Sequence, residues 1–205
     1  MANLIRTRPL AGRAATDAAP KETSAVTLRE LPYLALTNLR VQPAAADSLK
    51  EDLDLALPVQ ANTTFENAAG LRALWLGPDE WLIQSNSQDG DALTQSLSKA
   101  LENIHHSAKN VSDNFTSLRL EGPKTRQVLA KLTPFDVHRS VFSAGQCAQT
   151  VMAKTNVILD MVSDEDEAGL CLDLSVRRSF AAYLWDRLID AGLEFNIGVH
   201  GAETA

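Results

Sequence analysis

Histidine is the side chain in this sequence best suited to acid–base or metal chemistry near neutral pH. The chain has four histidines, which are His105, His106, His138 and His200. A histidine base needs a positioned partner, and a zinc pair on a helix needs a His-x-x-x-His spacing, which the sequence lacks. His105 and His106 follow an amphipathic segment, where the helix dipole favours an imidazolium. We therefore predict no catalytic or metal-binding histidine, with His138 in a solvated loop and His200 in the tail.

Neither the cysteines nor the densest acidic run has the spacing of a known site. Cys147 and Cys171 are too far apart for a Cys-x-x-Cys motif, so we predict two buried, unreactive thiols and a reducing, cytoplasmic compartment. The run Asp164-Glu165-Asp166-Glu167 lacks the alternation of a calcium loop. Four adjacent carboxylates repel each other, so we predict a solvated hairpin tip there.

Arg177 and Arg178 form an adjacent pair of positive charges. Paired arginines bind a carboxylate or phosphate in a bidentate way, and they are also common at protein interfaces. Because no other ligand-binding feature lies nearby in the sequence, we favour an interface. Gly122-Pro123-Lys124 offers one glycine where a phosphate loop needs several, so it predicts a strand-to-helix turn. The sequence also lacks Gly-x-Gly-x-x-Gly and Gly-x-Ser-x-Gly motifs, which are typical of nucleotide sites and hydrolases.

Composition argues against two functional classes. The chain has 205 residues and a formal net charge of −7, with a pI near 5.1. This acidic balance argues against nucleic-acid binding, which uses basic faces. No apolar run approaches the roughly 18 residues that a membrane helix needs, so we expect no membrane partner. The length fits one domain.

Residues 1–24 lack apolar periodicity and are rich in Ala, Arg, Pro and Thr. This composition predicts a flexible N-terminal arm. The arm has no apolar core of a signal peptide, whereas its arginines leave a transit peptide open. We assign residues 25–205 to one folded domain made of two pseudo-repeats, at about 30–113 and 114–200.

Hydrophobic periodicity gives the two halves of this domain the same order of elements. In the first half we predict strand 33–41, helix 44–57, strands 71–76 and 81–84, helix 91–104 and strand 107–112. In the second half we predict strand 115–121, a helix from 123 to about 132, one bent strand or two at 150–159, strand 170–176, helix 180–191 and strand 193–197. Both halves thus follow a β-α-β-β-α-β order, the split βαβ unit of an α+β fold.

Three segments carry a resemblance to a known family. Leu74–Ile83 places two tryptophans on either side of a Gly-Pro-Asp-Glu turn, and the other segments are Ser112–Pro123 and Arg178–Trp185. Here the chain resembles the gamma-subunit family of heterotetrameric sarcosine oxidase, which is related to the folate-binding aminomethyltransferases (glycine-cleavage T-proteins). The resemblance implies an aminomethyltransferase-like, folate-binding-domain fold built from duplicated β-α-β-β-α-β units, in agreement with the element order.

The resemblance also implies a function. In the family, the complex demethylates sarcosine oxidatively to glycine, with hydrogen peroxide and either formaldehyde or 5,10-methylenetetrahydrofolate as products. The gamma chain is implied to be a non-catalytic subunit that packs against the alpha, beta and delta subunits, which hold FAD, FMN, NAD and zinc. We therefore expect no catalytic, cofactor-binding or metal-binding residue on this chain.

Two other functions stay open at this point. A stand-alone folate-binding protein for one-carbon transfer would need a carboxylate that holds the pterin, and Asp113 and Asp173 are the candidates. An iron–sulfur assembly factor related to the same proteins would carry a Lys-Gly-Cys-Tyr-x-Gly-Gln motif. The nearest segment, Ala144–Gln149, lacks the lysine and the aromatic residue, which disfavours this function.

Overall fold

Two β-sheets and four α-helices form the described part of the chain, which comprises residues 7–11, 13, 23–45, 47–165 and 169–200 of a computed structural model. The strands are β1 Thr27–Glu30, β2 Ala35–Val41, β3 Thr64–Glu66, β4 Arg72–Gly77, β5 Glu80–Ser85, β6 His106–Asn110, β7 Phe115–Gly122, β8 Cys147–Met152, β9 Thr155–Glu165, β10 Gly169–Arg177 and β11 Gly198–His200. The helices are α1 Asp47–Leu53, α2 Gly90–Ala100, α3 Thr125–Ala130 and α4 Ala181–Gly192. None of these helices is long and apolar enough to span a bilayer.

The strands pair into one sheet from each half of the chain, with β1 as an addition. The first sheet has the order β3-β4-β5-β2-β6, and the second has the order β11-β1-β7-β10-β9-β8. The paired strands are antiparallel, except that β1 and β11 are parallel. The fold is therefore of the α+β class, as the periodicity predicts.

Each half contains one strand more than the β-α-β-β-α-β order. The first half runs β2-α1-β3-β4-β5-α2-β6, and the second runs β7-α3-β8-β9-β10-α4-β11. The sequence interpretation misses β3 because this strand has only three residues. The segment 150–159 contains parts of two strands, since the chain turns at Ala153, whose φ is 52°.

Two other predicted elements have wrong boundaries, and one strand was not predicted. The predicted strand 193–197 is a 3-10 turn, Leu193–Phe195, followed by Asn196 in the left-handed region with φ 52°, so the last strand begins at Gly198. The predicted helix 44–57 ends at Leu53, because Asp54 has a φ of 50°. The four-residue strand β1 was not predicted, because its pairing with β7 and β11 is non-local.

Apolar contacts arrange the elements in four layers. In the largest core, α3 and α4 pack on the outer face of the second sheet, and Val128 of α3, Trp185 of α4 and Leu120 of β7 all belong to this core. In a second core, α1 and α2 cover the outer face of the first sheet. The inner faces of the sheets meet in a smaller cluster, in which Leu36 and Leu82 belong with Ile158. The middle of the molecule is therefore a sheet-on-sheet interface.

The N-terminal segment packs against this core where the structure describes it. Leu10 is fully buried in the largest apolar cluster. Arg178 donates a hydrogen bond to the carbonyl oxygen of Thr7, and Arg13 pairs with Asp186 on α4. The flexible arm over 1–24 stays a prediction, although within it Leu10 occupies an apolar site that local periodicity does not reveal. The rest of 1–22 lies outside the described residues.

Candidate functional site

A buried ion pair between the two sheets joins Arg72 on β4 to Asp160 on β9. The guanidinium donates from Nε at 2.7 Å and from Nη2 at 2.6 Å to the two carboxylate oxygens. The Asp160 side chain is only 3% exposed. Burial raises the pKa of Asp160, and the Arg72 charge opposes that rise. Arg72 also donates to Glu66 at 2.7 Å and to Thr64 Oγ1 at 3.2 Å, so its charge is fully engaged.

A second ion pair continues the same row of side chains across the second sheet. Arg119 on β7 donates two hydrogen bonds, of 2.6 and 2.9 Å, to Asp173 on β10. Asp173 lies directly opposite Asp160, and Arg29 lies directly opposite Arg119. The strand register therefore places two arginines, Arg29 and Arg119, next to two aspartates, Asp173 and Asp160, on the face that meets the first sheet. Sequence reasoning did not predict this row, because its members come from four strands.

The thiols lie close to this row but are not set up for chemistry. Cys147 lies opposite Asp160, and its Sγ is 3.4 Å from the carbonyl oxygens of Thr63 and Trp75. Burial raises the pKa of Cys147 to about 12 and that of Cys171 also to about 12. At neutral pH both groups are protonated and weakly nucleophilic, in agreement with the predicted unreactive thiols, although Cys171 is only half-buried.

Two cavities lie on either side of the connection between β1 and β2. The first has a volume of about 330 Å³, and its lining includes Tyr33, Asp113 and Arg178. The second has a volume of about 350 Å³, and its lining includes Arg72 and Asp173. The two candidate pterin carboxylates thus line different cavities, and Asp173 is held by Arg119. The carboxylates that line the second cavity, Glu66 and Asp173, therefore already form ion pairs with Arg72 and Arg119.

Glu30 is a second buried acid that sequence reasoning missed. It is 2% exposed, and its Oε1 accepts a hydrogen bond of 2.9 Å from Thr116 Oγ1. Burial raises the pKa of Glu30, and the charges of Arg8 and Arg178 act in the opposite direction. Thr27–Glu30 has a single apolar residue, Leu28, so no local alternation of residue types places Glu30 in a strand.

The structure does not bring the histidines together into a site. His105 and the half-buried His106 lie at the start of β6, at an edge of the first sheet. His200 is exposed on β11, at an edge of the second sheet, and His138 is exposed in the loop after α3 beside Ser140 Oγ, at 2.7 Å. Within the described ranges, no group of three or more His, Cys, Asp or Glu residues could hold a metal ion.

The acidic run differs from the predicted solvated tip at its first residue. The Asp164 side chain is 10% exposed, and it accepts a hydrogen bond of 2.7 Å from Arg126 and pairs with Arg139 at 3.2 Å. Arg126 from α3 and Arg139 from the loop after it cover this carboxylate. The charges of the acidic run alone do not predict these two partners. Asp166 and Glu167 lie outside the described residues.

The other two motifs lie where the sequence places them. Gly122 has a φ of 123° and ends β7, and a Cβ there would lie 2.6 Å from the Ala25 carbonyl oxygen. Gly122-Pro123-Lys124 is therefore the predicted strand-to-helix turn before α3. Arg177 ends β10 and is exposed, with its guanidinium 4.6 Å from the centre of the Phe115 ring. Arg178 is half-buried beside it.

Comparison with known proteins agrees with this architecture. The model of the sarcosine oxidase gamma subunit family matches residues 39–194. The gamma subunit of sarcosine oxidase from Corynebacterium sp. (strain U-96) is 31% identical over 174 residues, which cover 84% of this chain and 82% of that protein. The gamma subunit from Arthrobacter sp. is 30% identical over 193 residues, or 93% of this chain and 92% of that protein.

Solved structures give the same assignment. A chain of heterotetrameric sarcosine oxidase from Corynebacterium sp. U-96, in complex with pyrrole 2-carboxylate, superposes with a TM-score of 0.81 and 30% identity, covering 98% of this chain and 99% of that one. Aminomethyltransferase T of the glycine cleavage system from Bartonella henselae shares the fold, with a TM-score of 0.65 and 14% identity, covering 87% of this chain and 48% of that one. The protein therefore belongs to the sarcosine oxidase gamma subunit family.

Proposed function

We propose that this chain is the non-catalytic gamma subunit of a heterotetrameric sarcosine oxidase. That complex demethylates sarcosine oxidatively to glycine, with hydrogen peroxide and either formaldehyde or 5,10-methylenetetrahydrofolate as products. The observation that carries the proposal is the match to a chain of such a complex over 98% of this sequence and 99% of that chain, at 30% identity. A match over the full length of both chains favours the same role in the same kind of assembly.

The proposed role is packing and assembly, which the pairing of the interior charges supports. A catalytic acid or base needs an available lone pair or proton at the reacting centre. In the sheet-on-sheet interface, Asp160 is held by Arg72 and Asp173 by Arg119, each through two hydrogen bonds. Carboxylates that are paired in this way stabilise the fold that presents a surface to partners. They are poorly suited to proton transfer.

The cofactors of the complex are proposed to lie on its other subunits. FAD, FMN, NAD and zinc would be held by the alpha, beta and delta chains, in a cytoplasmic assembly. The absence of a Gly-x-Gly-x-x-Gly fingerprint and of a His-x-x-x-His pair from the sequence supports this division of labour. The isolated chain is expected to be colourless, and absorbance in the flavin region that copurifies with it after denaturation would contradict this assignment.

We also propose that the two halves of the domain are pseudo-repeats. The support is the order of strands, since β3-β4-β5-β2-β6 of the first half corresponds to β8-β9-β10-β7-β11 of the second once β1 is set aside. The repeat would cover about 30–113 and 114–200 within one domain that starts near residue 25. In this proposal, β1 is an insertion that joins the N-terminal part to the second half.

A stand-alone folate-binding protein is the second candidate, and the two cavities beside the β1–β2 connection favour it. Their volumes, about 330 and 350 Å³, lie within the range of small-molecule sites, roughly 300–1,000 Å³. Against it, the Asp173 carboxylate in the second cavity is occupied by Arg119. Saturable binding of tetrahydrofolate by the isolated chain would favour this candidate over the subunit proposal.

The subunit proposal is tested by expressing the partner chains with and without this one. We expect the yield of assembled oxidase to fall strongly without this chain. Turnover per flavin of whatever complex does assemble should change little, because the chain supplies no reacting group. An unchanged yield of assembled complex would overturn the proposal.

A further inference from the structure

A shallow groove lies where the N-terminal segment, the connection between β6 and β7 and the start of α4 meet. Its volume is about 600 Å³, and it is open to solvent. We name it the arginine groove, and it is lined by Pro9, Asp113, Asn114, Arg177, Arg178, Ser179 and Phe180.

The two arginines of this groove form no ion pair with a carboxylate of the described part of the chain. Other arginines, such as Arg72 and Arg126, form short ion pairs with buried aspartates. Among the ion pairs between described side chains, none includes Arg177 or Arg178. Arg178 also acts electrostatically on the buried Glu30 carboxyl. In a chain with a net charge of −7, the exposed Arg177 and the half-buried Arg178, which donates to the Thr7 carbonyl oxygen, are complementary to carboxylates from outside.

Arg177 has a preferred position in the absence of a partner, against the ring of Phe115. Arg177 and Phe115 are directly opposed residues of β10 and β7, and the guanidinium lies 4.6 Å from the ring centre. A cation–π contact at an exposed site contributes about 0.5–1 kcal/mol, so it favours this orientation of the side chain. Binding then costs less side-chain entropy than it would for a freely rotating arginine.

The groove also has an apolar component next to the charges. Phe180 is 47% exposed, although large aromatic side chains are usually well buried. A neighbouring cavity of about 440 Å³ shares Arg177 with the groove and includes Val151, which is 45% exposed. Arginine and aromatic residues side by side are the composition that is enriched at protein interfaces.

We propose that the arginine groove is the docking site for an acidic segment of a partner subunit, whose carboxylates pair with Arg177 and Arg178 and whose apolar side chain covers Phe180. This inference rests on the proposed function, because it assigns a contact surface to that assembly. A peptide with spaced carboxylates fits better than a polyanion such as nucleic acid, because the net charge of −7 on this chain repels continuous negative charge.

The test is assembly of the full-length chain with its partner subunits, followed by size-exclusion chromatography. We expect the double variant Arg177→Glu/Arg178→Glu and the single variant Phe180→Asp each to weaken assembly at least tenfold. Leu193→Asp is the matched control for the exposed apolar residue, since Leu193 is 63% exposed outside the groove. Arg187→Glu is the control for charge reversal on an exposed arginine. Both controls should assemble within twofold of the wild type.

The outcomes separate this inference from the function it rests on. If the wild-type chain fails to assemble with any partner, the proposed function is wrong. If the wild type assembles and the folded groove variants assemble equally well, the docking site is wrong and the subunit assignment stands.

If the charge variants do not fold, a second experiment replaces Phe180 with a photoreactive phenylalanine analogue in the otherwise unchanged chain. Cross-linking in the assembled complex then identifies what covers this side chain. Cross-linking to an acidic segment of a partner subunit would support the proposal. Cross-linking only to residues 1–6 of the same chain, only to a second copy of it, or to nothing in the assembled complex would overturn it.

Discussion

Arg72 and Asp160 are 88 positions apart in the sequence, yet they form a two-point ion pair of 2.7 and 2.6 Å that joins the two sheets. The apolar cluster between the sheets is small, so both this ion pair and the apolar contacts stabilise the packing of one sheet on the other. This contact helps to set how the two sheets are oriented relative to each other, and therefore the shape of the surface that a partner would contact.

Removing one member of this pair should be costly. Arg72→Met leaves the Asp160 carboxylate buried without its counter-charge, and such a change costs about 3–5 kcal/mol. The double variant Arg72→Met/Asp160→Leu should recover most of that loss. Arg40→Met is the matched control, because Arg40 forms an exposed pair with Asp79, and exposed pairs contribute less than about 1 kcal/mol. Urea unfolding measures all three, and equal costs for Arg72→Met and Arg40→Met would refute the proposed role of the inter-sheet pair.

Glu30 should make stability depend on pH. Burial raises its pKa in the folded state. A carboxyl with a raised folded-state pKa favours folding below its unfolded pKa, and this contribution is lost as the pH rises through the folded-state pKa. Glu30→Gln removes the titration, so the variant should have a higher Tm than the wild type at pH 7, and the gap should close on acidification. A gap that is constant with pH would show that Glu30 titrates as an ordinary exposed carboxyl.

The N-terminal segment should contribute to folding. Leu10 is fully buried in the main core, and truncation of a buried leucine to alanine costs about 2–5 kcal/mol. Leu10→Ala should therefore lower the Tm clearly, whereas Leu193→Ala, at a side chain that is 63% exposed, should leave it nearly unchanged. Thermal unfolding of the isolated chain compares the two. No loss of Tm in Leu10→Ala would show that the Leu10 contact does not stabilise the fold, as expected of a flexible arm.

Trp81 should act through stability and not through turnover. Its ring is fully buried, and its Nε1 donates a hydrogen bond of 2.8 Å to the Pro58 carbonyl oxygen. Trp81→Ala should cost about 3–5 kcal/mol and lower the yield of complex. Turnover per assembled complex should be preserved, and a strong loss of turnover in complex that assembles normally would point to a catalytic contribution.

The histidines provide the complementary test. His138→Ala and His200→Ala remove exposed imidazoles that the structure does not place near each other. Both variants should assemble and turn over sarcosine like the wild type. A loss of turnover of about a hundredfold or more, the scale of a missing acid–base group, would place catalysis on this chain.

Local signals explain which parts of the fold could be predicted. The hairpin around Gly77 and Glu80 forms as expected, with Trp75 opposite Trp81, because its turn residues and flanking strands are adjacent in the sequence. The alternation along β10 likewise predicts its two faces. Patterns of this kind are contained within ten or so residues, which is the range over which periodicity is informative.

The missed features depend on distant partners. Strand β1 has four residues and is held by β7 and β11 from the other half of the chain. Asp164 looked solvated because its two arginine partners come from outside the acidic run. For the arginine groove, the sequence predicted only an interface at Arg177 and Arg178, because Phe115 lies beside Arg177 through the register of two strands that are distant in the sequence. No local window of sequence contains these pairings.

Native mass spectrometry of the complex captured through a tag on this chain tests the central claim most directly. The account predicts an assembly that contains this chain together with three different partner subunits, oxidises sarcosine, and has every cofactor on the partners after dissociation. Capture of this chain alone, binding tetrahydrofolate and carrying out one-carbon transfer without partners, would contradict it.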